Sequence, residues 1–201
     1  MNLSIQSAQA WKTIVEYRYI FTYGYKKQLY DINLSFSMND FPHLAGFQYM
    51  KDISLPRYSN VNVADKIIEG IIPFEKVQKA SKYETMIKPR LEALIHLKES
   101  LDSEFKLYSY KRDLYPFSTS IKADYLISSN SNSGSFVFIL KTDPNDGMPN
   151  YLCNSLFEKS ERDYEANQRV RTLMKKERIH IPSNTAEVLL DRLSSQTKTP
   201  R

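Results

Sequence analysis

Three stretches of the 201-residue chain carry side chains whose types and spacing could do chemistry. In Phe41-Pro42-His43-Leu44-Ala45-Gly46, the imidazole of His43 falls in the expected first turn of a helix. There the positive end of the helix dipole disfavours imidazolium and lowers the pKa, and a neutral histidine near pH 7 can serve as a general base, worth typically ~10²–10⁴ in rate. The same ring could simply cap the helix or pack beside Phe41 and Phe47. Lys122 and Asp124 lie two apart in IKADYLIS, on one face if that segment is a strand. A lysine so placed could stabilise a pentavalent phosphorane; the plain alternative is an exposed ion pair worth ~0–1 kcal/mol. Ser155, alternating with Cys153 and Phe157, is expected to spend its hydroxyl on the backbone. The third stretch runs from Asp163-Tyr164 through Gln168 into QRVRTLMKKER, where Arg169, Arg171, Lys175, Lys176 and Arg178 outnumber the one acid, Glu177. Tyrosines, arginines and lysines together suit an RNA surface, because rings stack on unpaired bases and cations meet phosphates. A solvated strand or helix face would have the same composition.

These residues need elements to hold them. Residues 2–16 read as an amphipathic helix with Ile5, Ala8, Trp11 and Val15 on one face, joined by Ile14. RYIFTYG and QLYDINLSF flank Gly24-Tyr25-Lys26-Lys27 and predict a β-hairpin. Asn39 or Asp40 can cap a helix that takes Pro42 in its first turn. Short helices are expected at 63–69, ending at Gly70, and at 73–80, and a longer one at 82–101. That long helix carries a capping box at Ser81 and Glu84, and Pro89 should kink it or mark its true start. Strands follow at 104–110, IKADYLIS, SFVFILK and YLCNSLFEK, the last two joined by a turn at DPNDGMP; a further strand is expected within 168–181. Strands clustered without alternating helices argue for an α+β fold: an antiparallel β-sheet flanked by N-terminal and central helices. The expected organisation is one domain over 1–193, with a helical insertion at about 40–102 and a frayed tail at 194–201.

Composition removes several classes. Cys153 is the only cysteine and there are three histidines, so no Cys-rich zinc site or internal disulfide can form, and no metal or other cofactor is expected. No apolar run approaches the ~20 residues of a membrane span, and no basic stretch precedes an apolar run at the N-terminus, so the chain is expected to be cytoplasmic. Walker, Rossmann and G-x-S-x-G patterns are absent. The net charge of +5 leans towards anionic partners.

Taken together, FTYGYKKQLYDINLSF, DFPHLAGFQYMKDI, IKADYLI, FVFILK, YLCNSLFEKSERDY and QRVRTLMKKERI resemble the phage-borne barnase–EndoU–colicin–RelE-like nucleases, the fourth such phage family. The resemblance covers most of residues 17–182, and FPHLAG is its most specific block. It implies a small antiparallel sheet with helices and an endoribonuclease that works without metal, as a toxin or effector of a phage or mobile element. The reaction would be attack of a ribose 2′-hydroxyl on the adjacent phosphorus. His43 would do the acid–base work, Lys122 would stabilise charge, and Tyr164 with Gln168 would position the substrate. RNA is the expected partner, held by Arg169, Arg171, Lys175, Lys176 and Arg178, with an antitoxin or a phage or host protein as a further one. The competing reading is a non-catalytic RNA- or protein-binding phage or defence protein.

Overall fold

The structure is a computed structural model that describes residues 2–54, 56, 58–132, 134–142 and 150–194. The chain opens with helix α1 (Leu3–Ile14), whose first turn is closed by the Asn2 side chain accepting from the Ile5 amide. Its buried face is Ser4, Ser7, Ala8, Trp11 and Ile14, with Ile5 and Val15 only half-buried, so two small polar residues join the stripe read from the sequence. Strands β1 (Tyr17–Tyr25) and β2 (Gln28–Ser35) form the expected hairpin. The turn is Lys26-Lys27, and both residues take the left-handed conformation.

Among the described residues, 38–102 hold the remaining α-helices. A 3₁₀ turn at Met38–Asp40 leads into α2 (Phe41–Leu44), and α3 (Val63–Ile68) and α4 (Phe74–Gln78) follow. The stretch expected as one long helix is three pieces: a π-helical turn at Tyr83–Ile87, α5 (Lys88–Ile95) and α6 (Leu97–Asp102). Pro89 sits at the start of α5, where its missing N–H costs nothing. The expected capping box is not made; the Ser81 amide instead donates to Asp52.

The sheet is built from β1, β2, β3 (Phe105–Ser109), β4 (Tyr125–Ser129), β5 (Ser135–Thr142), β6 (Asn150–Glu158), β7 (Arg169–His180) and β8 (Thr185–Asp191). The turn expected at 143–149 and the tail from 195 lie outside the described residues. The strand order is β1-β2-β6-β5-β4-β3-β7, and β7 pairs back onto β1. The seven strands therefore close into a barrel, with β8 added outside the ring on β7. The α+β class is as expected, but the antiparallel sheet flanked by helices is matched only in part: the sheet closes into a barrel, and one pairing, β2 with β6, is parallel. Closure needs curvature, and two register shifts within the ring supply it, at Asn154 in β6 and Met174 in β7; a third, at Leu189 in β8, lies outside the ring.

Strands β3, β4 and β5 are covered on both faces. Leu107, Ile127, Val137 and Ile139 join the main core with Trp11, Leu91, Leu94 and Leu101 from the helices. Tyr108, Leu126, Phe136 and Phe138 alternate with them and pack against Tyr110, Tyr115 and Tyr164 from the following segments. Two-sided burial explains why SFVFIL is a continuous apolar run.

Candidate nuclease site

FPHLAG forms a single helical turn because Gly46 ends it at once. Gly46 has φ +83°, and a Cβ there would lie 3.0 Å from both Arg90 Cδ and the Met86 carbonyl. Only glycine meets both demands, the left-handed backbone and the close approach of α5. Phe41, Leu44 and Ala45 anchor the turn in the core, leaving His43 exposed on the other side. A turn this short has no macrodipole of consequence, so the dipole argument for His43 loses its basis.

His43 lines a cleft of about 190 Å³ with Tyr49, Arg90, Lys122, Asn154 and Ser155. Its Nε2 is 3.1 Å from the Asn154 carbonyl oxygen, which can only accept. Nε2 therefore carries a proton, and in the neutral ring the free lone pair is on Nδ1. Asn154 is the extra residue of the β6 bulge, and its side chain donates to the Lys122 carbonyl at 2.8 Å. One irregular residue thus ties the FPHLAG turn to the segment that carries Lys122.

Lys122 is not on a strand face, since β4 begins three residues later. Nor do Lys122 and Asp124 form the exposed ion pair that was the plain alternative: the Asp124 carboxylate accepts from the Lys141 amide at 2.7 Å. Arg90, which the sequence did not single out, is the cation most firmly set in the cleft. Its guanidinium lies 5.1 Å over the Tyr49 ring and 5.7 Å over Phe157, and donates to the Met86 carbonyl at 2.8 Å. Among the described residues neither Arg90 nor Lys122 has a carboxylate within ion-pair distance. Burial lowers the Arg90 pKa, against the opposing pull of the Tyr49 and Tyr164 hydroxyls. A half-buried guanidinium with unspent donors and no counter-ion is organised to receive an anion.

Residues 5–193 match the family model described as phage-Barnase-EndoU-ColicinE5/D-RelE like nuclease 4. The chain belongs to this family. No curated protein and no solved structure matches it. Among the described residues no three His, Cys, Asp or Glu side chains gather to hold a metal ion, and no helix is long and apolar enough to cross a membrane.

Two other expected site residues of this nuclease-family chain lie outside the cleft. Tyr164 is buried among Tyr115, Phe117, Phe136, Phe138 and Phe157, and meets the cleft through Phe157, whose ring lies 5.4 Å from its own and 5.7 Å from the Arg90 guanidinium. Gln168 clasps the backbone of Lys111, accepting from its amide at 2.7 Å and donating to its carbonyl at 3.0 Å.

The five cations of β7 fall into two groups. Lys176 is 3% exposed and donates to the carbonyls of Leu101, Asp102 and Ser103, closing the end of α6; burial, opposed by Asp102 and Glu104, pushes its pKa down to about 8. Arg178 pairs with Asp102 and Glu187, and Lys175 with Glu177 at 2.8 Å. Arg169 and Arg171 pair with no acid and border a separate cavity. A larger cavity, about 480 Å³, opens between β3, β7 and β8. Lys106, Arg171, Lys176 and Arg192 line it; Lys176 is held by three carbonyls and Lys106 lies 3.8 Å from Glu165, and the cavity holds no imidazole, which the smaller His43 cleft does.

Proposed function

We propose that the chain is an endoribonuclease that cleaves RNA by 2′-hydroxyl transesterification without a metal ion, as a toxin or effector of a phage or mobile element. His43 Nδ1 takes the proton of the 2′-hydroxyl, whose oxygen then bonds to the adjacent phosphorus. The P–O5′ bond breaks, a 2′,3′-cyclic phosphate remains, and the 5′-oxygen leaves with a proton that the imidazolium can return. Arg90 and Lys122 neutralise the charge that builds on the non-bridging oxygens. Ser155 and Ser120, which line the same cleft, offer neutral hydroxyl donors for orienting the phosphate. Tyr164 acts from behind, through the Phe157 ring that packs under Arg90, whereas Gln168 holds the backbone of Lys111, which borders the other cavity.

The observation that carries this reading is Arg90. A guanidinium held by two rings, with no acid beside it, borders the same cleft as an imidazole and a second cation. Purified protein incubated with total RNA in EDTA should give fragments ending in 2′,3′-cyclic phosphate, and His43→Ala should abolish them. Intact RNA under all conditions would sink the reading. Activity lost in EDTA and restored by magnesium would transfer the chemistry to carboxylates outside this cleft.

A further inference from the structure

A second site is built where the β1–β2 hairpin tip meets the first residues of β7. Tyr25 is the hub. The Arg171 guanidinium lies 3.9 Å over its ring, Lys26 Nζ lies 5.4 Å over it, and Arg169 donates to its hydroxyl at 3.2 Å. Arg171 is fixed further by donating to the Ser109 hydroxyl at 2.6 Å. Beside the hub Tyr30 is 39% exposed, with its inner face stacked on Tyr23 at 5.5 Å and 18°. A cavity of about 450 Å³ opens here, bordered by Tyr25, Lys111, Asn167, Arg169 and Arg171.

This end of the molecule differs in charge from the rest of β7. Among the described residues, Lys26, Lys27, Lys111, Arg169 and Arg171 have no acid within ion-pair distance, whereas Lys175 and Arg178 on the same strand are both paired. The hairpin turn repeats the pattern. Its two left-handed positions favour Asn and Gly, yet both are lysine, so cations stand where they are conformationally awkward.

We propose that this surface binds an unpaired stretch of nucleic acid, with a base on the open face of Tyr30 and the adjoining phosphates on Arg169, Arg171 and Lys111. Flat rings interleaved with preset cations suit bases alternating with phosphates. An anionic membrane is the weaker fit, because Leu29 is the one large aliphatic residue at the hairpin tip and the cations ring a concavity rather than a protruding apolar loop. The proposal rests on the RNA reading above and adds a binding site away from the His43 cleft.

The test uses the full chain carrying His43→Ala, so that bound RNA stays intact, with a fluorescein-labelled single-stranded 12-mer and the matching duplex. Anisotropy titrations across a salt series should show Tyr30→Ala weakening single-strand binding by roughly 5- to 100-fold, as expected for one lost stack. Tyr30→Phe should restore it, and duplex binding should not move. Arg169→Ala and Lys111→Ala should each flatten the log K against log salt slope by about 0.7. The proposal is overturned if the three alanine variants, folded by circular dichroism, bind the single strand with wild-type affinity and slope. Equal loss for the duplex would also overturn it. So would binding that is confined to phosphatidylserine vesicles. The two readings fail separately: His43-dependent cleavage with unaffected Tyr30 and Arg169 variants removes only this site, and Tyr30-dependent binding without any cleavage removes only the enzyme.

Discussion

Arg90 and Arg178 are both largely covered arginines, and replacing each with methionine should have opposite consequences. Arg178→Met removes the partner of Asp102 and Glu187. Asp102 keeps Lys98 at 2.7 Å and the Tyr19 hydroxyl at 2.8 Å, and Glu187 is well exposed, so the loss is less than that of a fully buried pair, roughly 2 kcal/mol. Arg90→Met strands no acid. It gives up two ring contacts worth about 0.5–1 kcal/mol each and one hydrogen bond worth about 1 kcal/mol. Against this it removes the cost of holding a half-buried charge without a counter-ion, roughly 2 kcal/mol. The terms nearly cancel, so stability should change by less than about 1 kcal/mol. RNA cleavage, however, should fall ~10²–10³-fold, the usual loss on removing one preorganised donor to a developing anion. Urea denaturation followed by the fluorescence of Trp11, the single tryptophan and fully buried, measures the first quantity; initial rates of cleavage measure the second. Arg90→Met destabilising the fold as much as Arg178→Met, with cleavage down in proportion to the unfolded fraction, would show that Arg90 is a structural cation and refute the reasoning.

Three further outcomes follow from the same geometry. Glu165 accepts from Tyr108, Ser128 and Lys159; burial raises its pKa, but these hydrogen bonds outweigh burial and bring it down to about 2. Its stabilisation is complete above the unfolded value near 4.5 and is lost as pH falls towards 2, so urea midpoints for wild type and Glu165→Gln should differ by roughly 2 kcal/mol at pH 7 and converge by pH 2.5. A gap of equal size at both pH values would mean the effect is packing. Gly46→Ala forces an L-residue into φ +83° and a Cβ against Met86 and Arg90, so it should cost about 1–3 kcal/mol in thermal unfolding and reduce cleavage beyond that loss; wild-type stability would contradict the tight fit. Lys176→Met leaves three carbonyls at the end of α6 without their donor and should destabilise by roughly 2–4 kcal/mol in urea, while the salt dependence of RNA binding stays unchanged. A flattened salt slope would return Lys176 to the RNA surface.

Local patterns carried much of the fold into the sequence. The β1–β2 hairpin, the start of α5 at Pro89 and the apolar run of β5 each depend on neighbours a few residues away. What stayed hidden depends on distant partners. Nothing in RYIFTYG says that β1 will also pair with β7, about 150 residues on, and closure of the barrel rests on that pairing. TAEVLLD alternates poorly because β8 lies outside the ring with most of its side chains exposed, so its pattern alone does not predict a strand. Of the cleft, His43 and Lys122 were legible by residue type and reach the same cleft. Arg90 was not, since one arginine in a mixed helix gives no sign that its guanidinium will find rings and no acid. Asn154 was equally silent, because a bulge is a property of two strands together.

The run QRVRTLMKKER shows why charge in sequence and charge in space differ. All five cations lie on one strand, but β7 changes neighbours part-way along. Arg169 and Arg171 pair with β3 through Ser109 and Leu107, residues that carry no acid. From Lys175 onwards the strand pairs with β8, which supplies Glu187, and Lys176 and Arg178 meet the end of α6, which supplies Asp102 and its neighbouring carbonyls. The second half of the run is thereby spent on fastening β8 and α6 to the barrel. The first half has no acid within ion-pair distance among the described residues, and the residue it leans on is an aromatic ring, which steers a cation without neutralising it. The same rule picks out Arg90 on α5, far from β7 in sequence. Arg90 and Arg171 are thus alike: each guanidinium lies against aromatic rings, neither has a carboxylate within ion-pair distance among the described residues, and each borders a cavity.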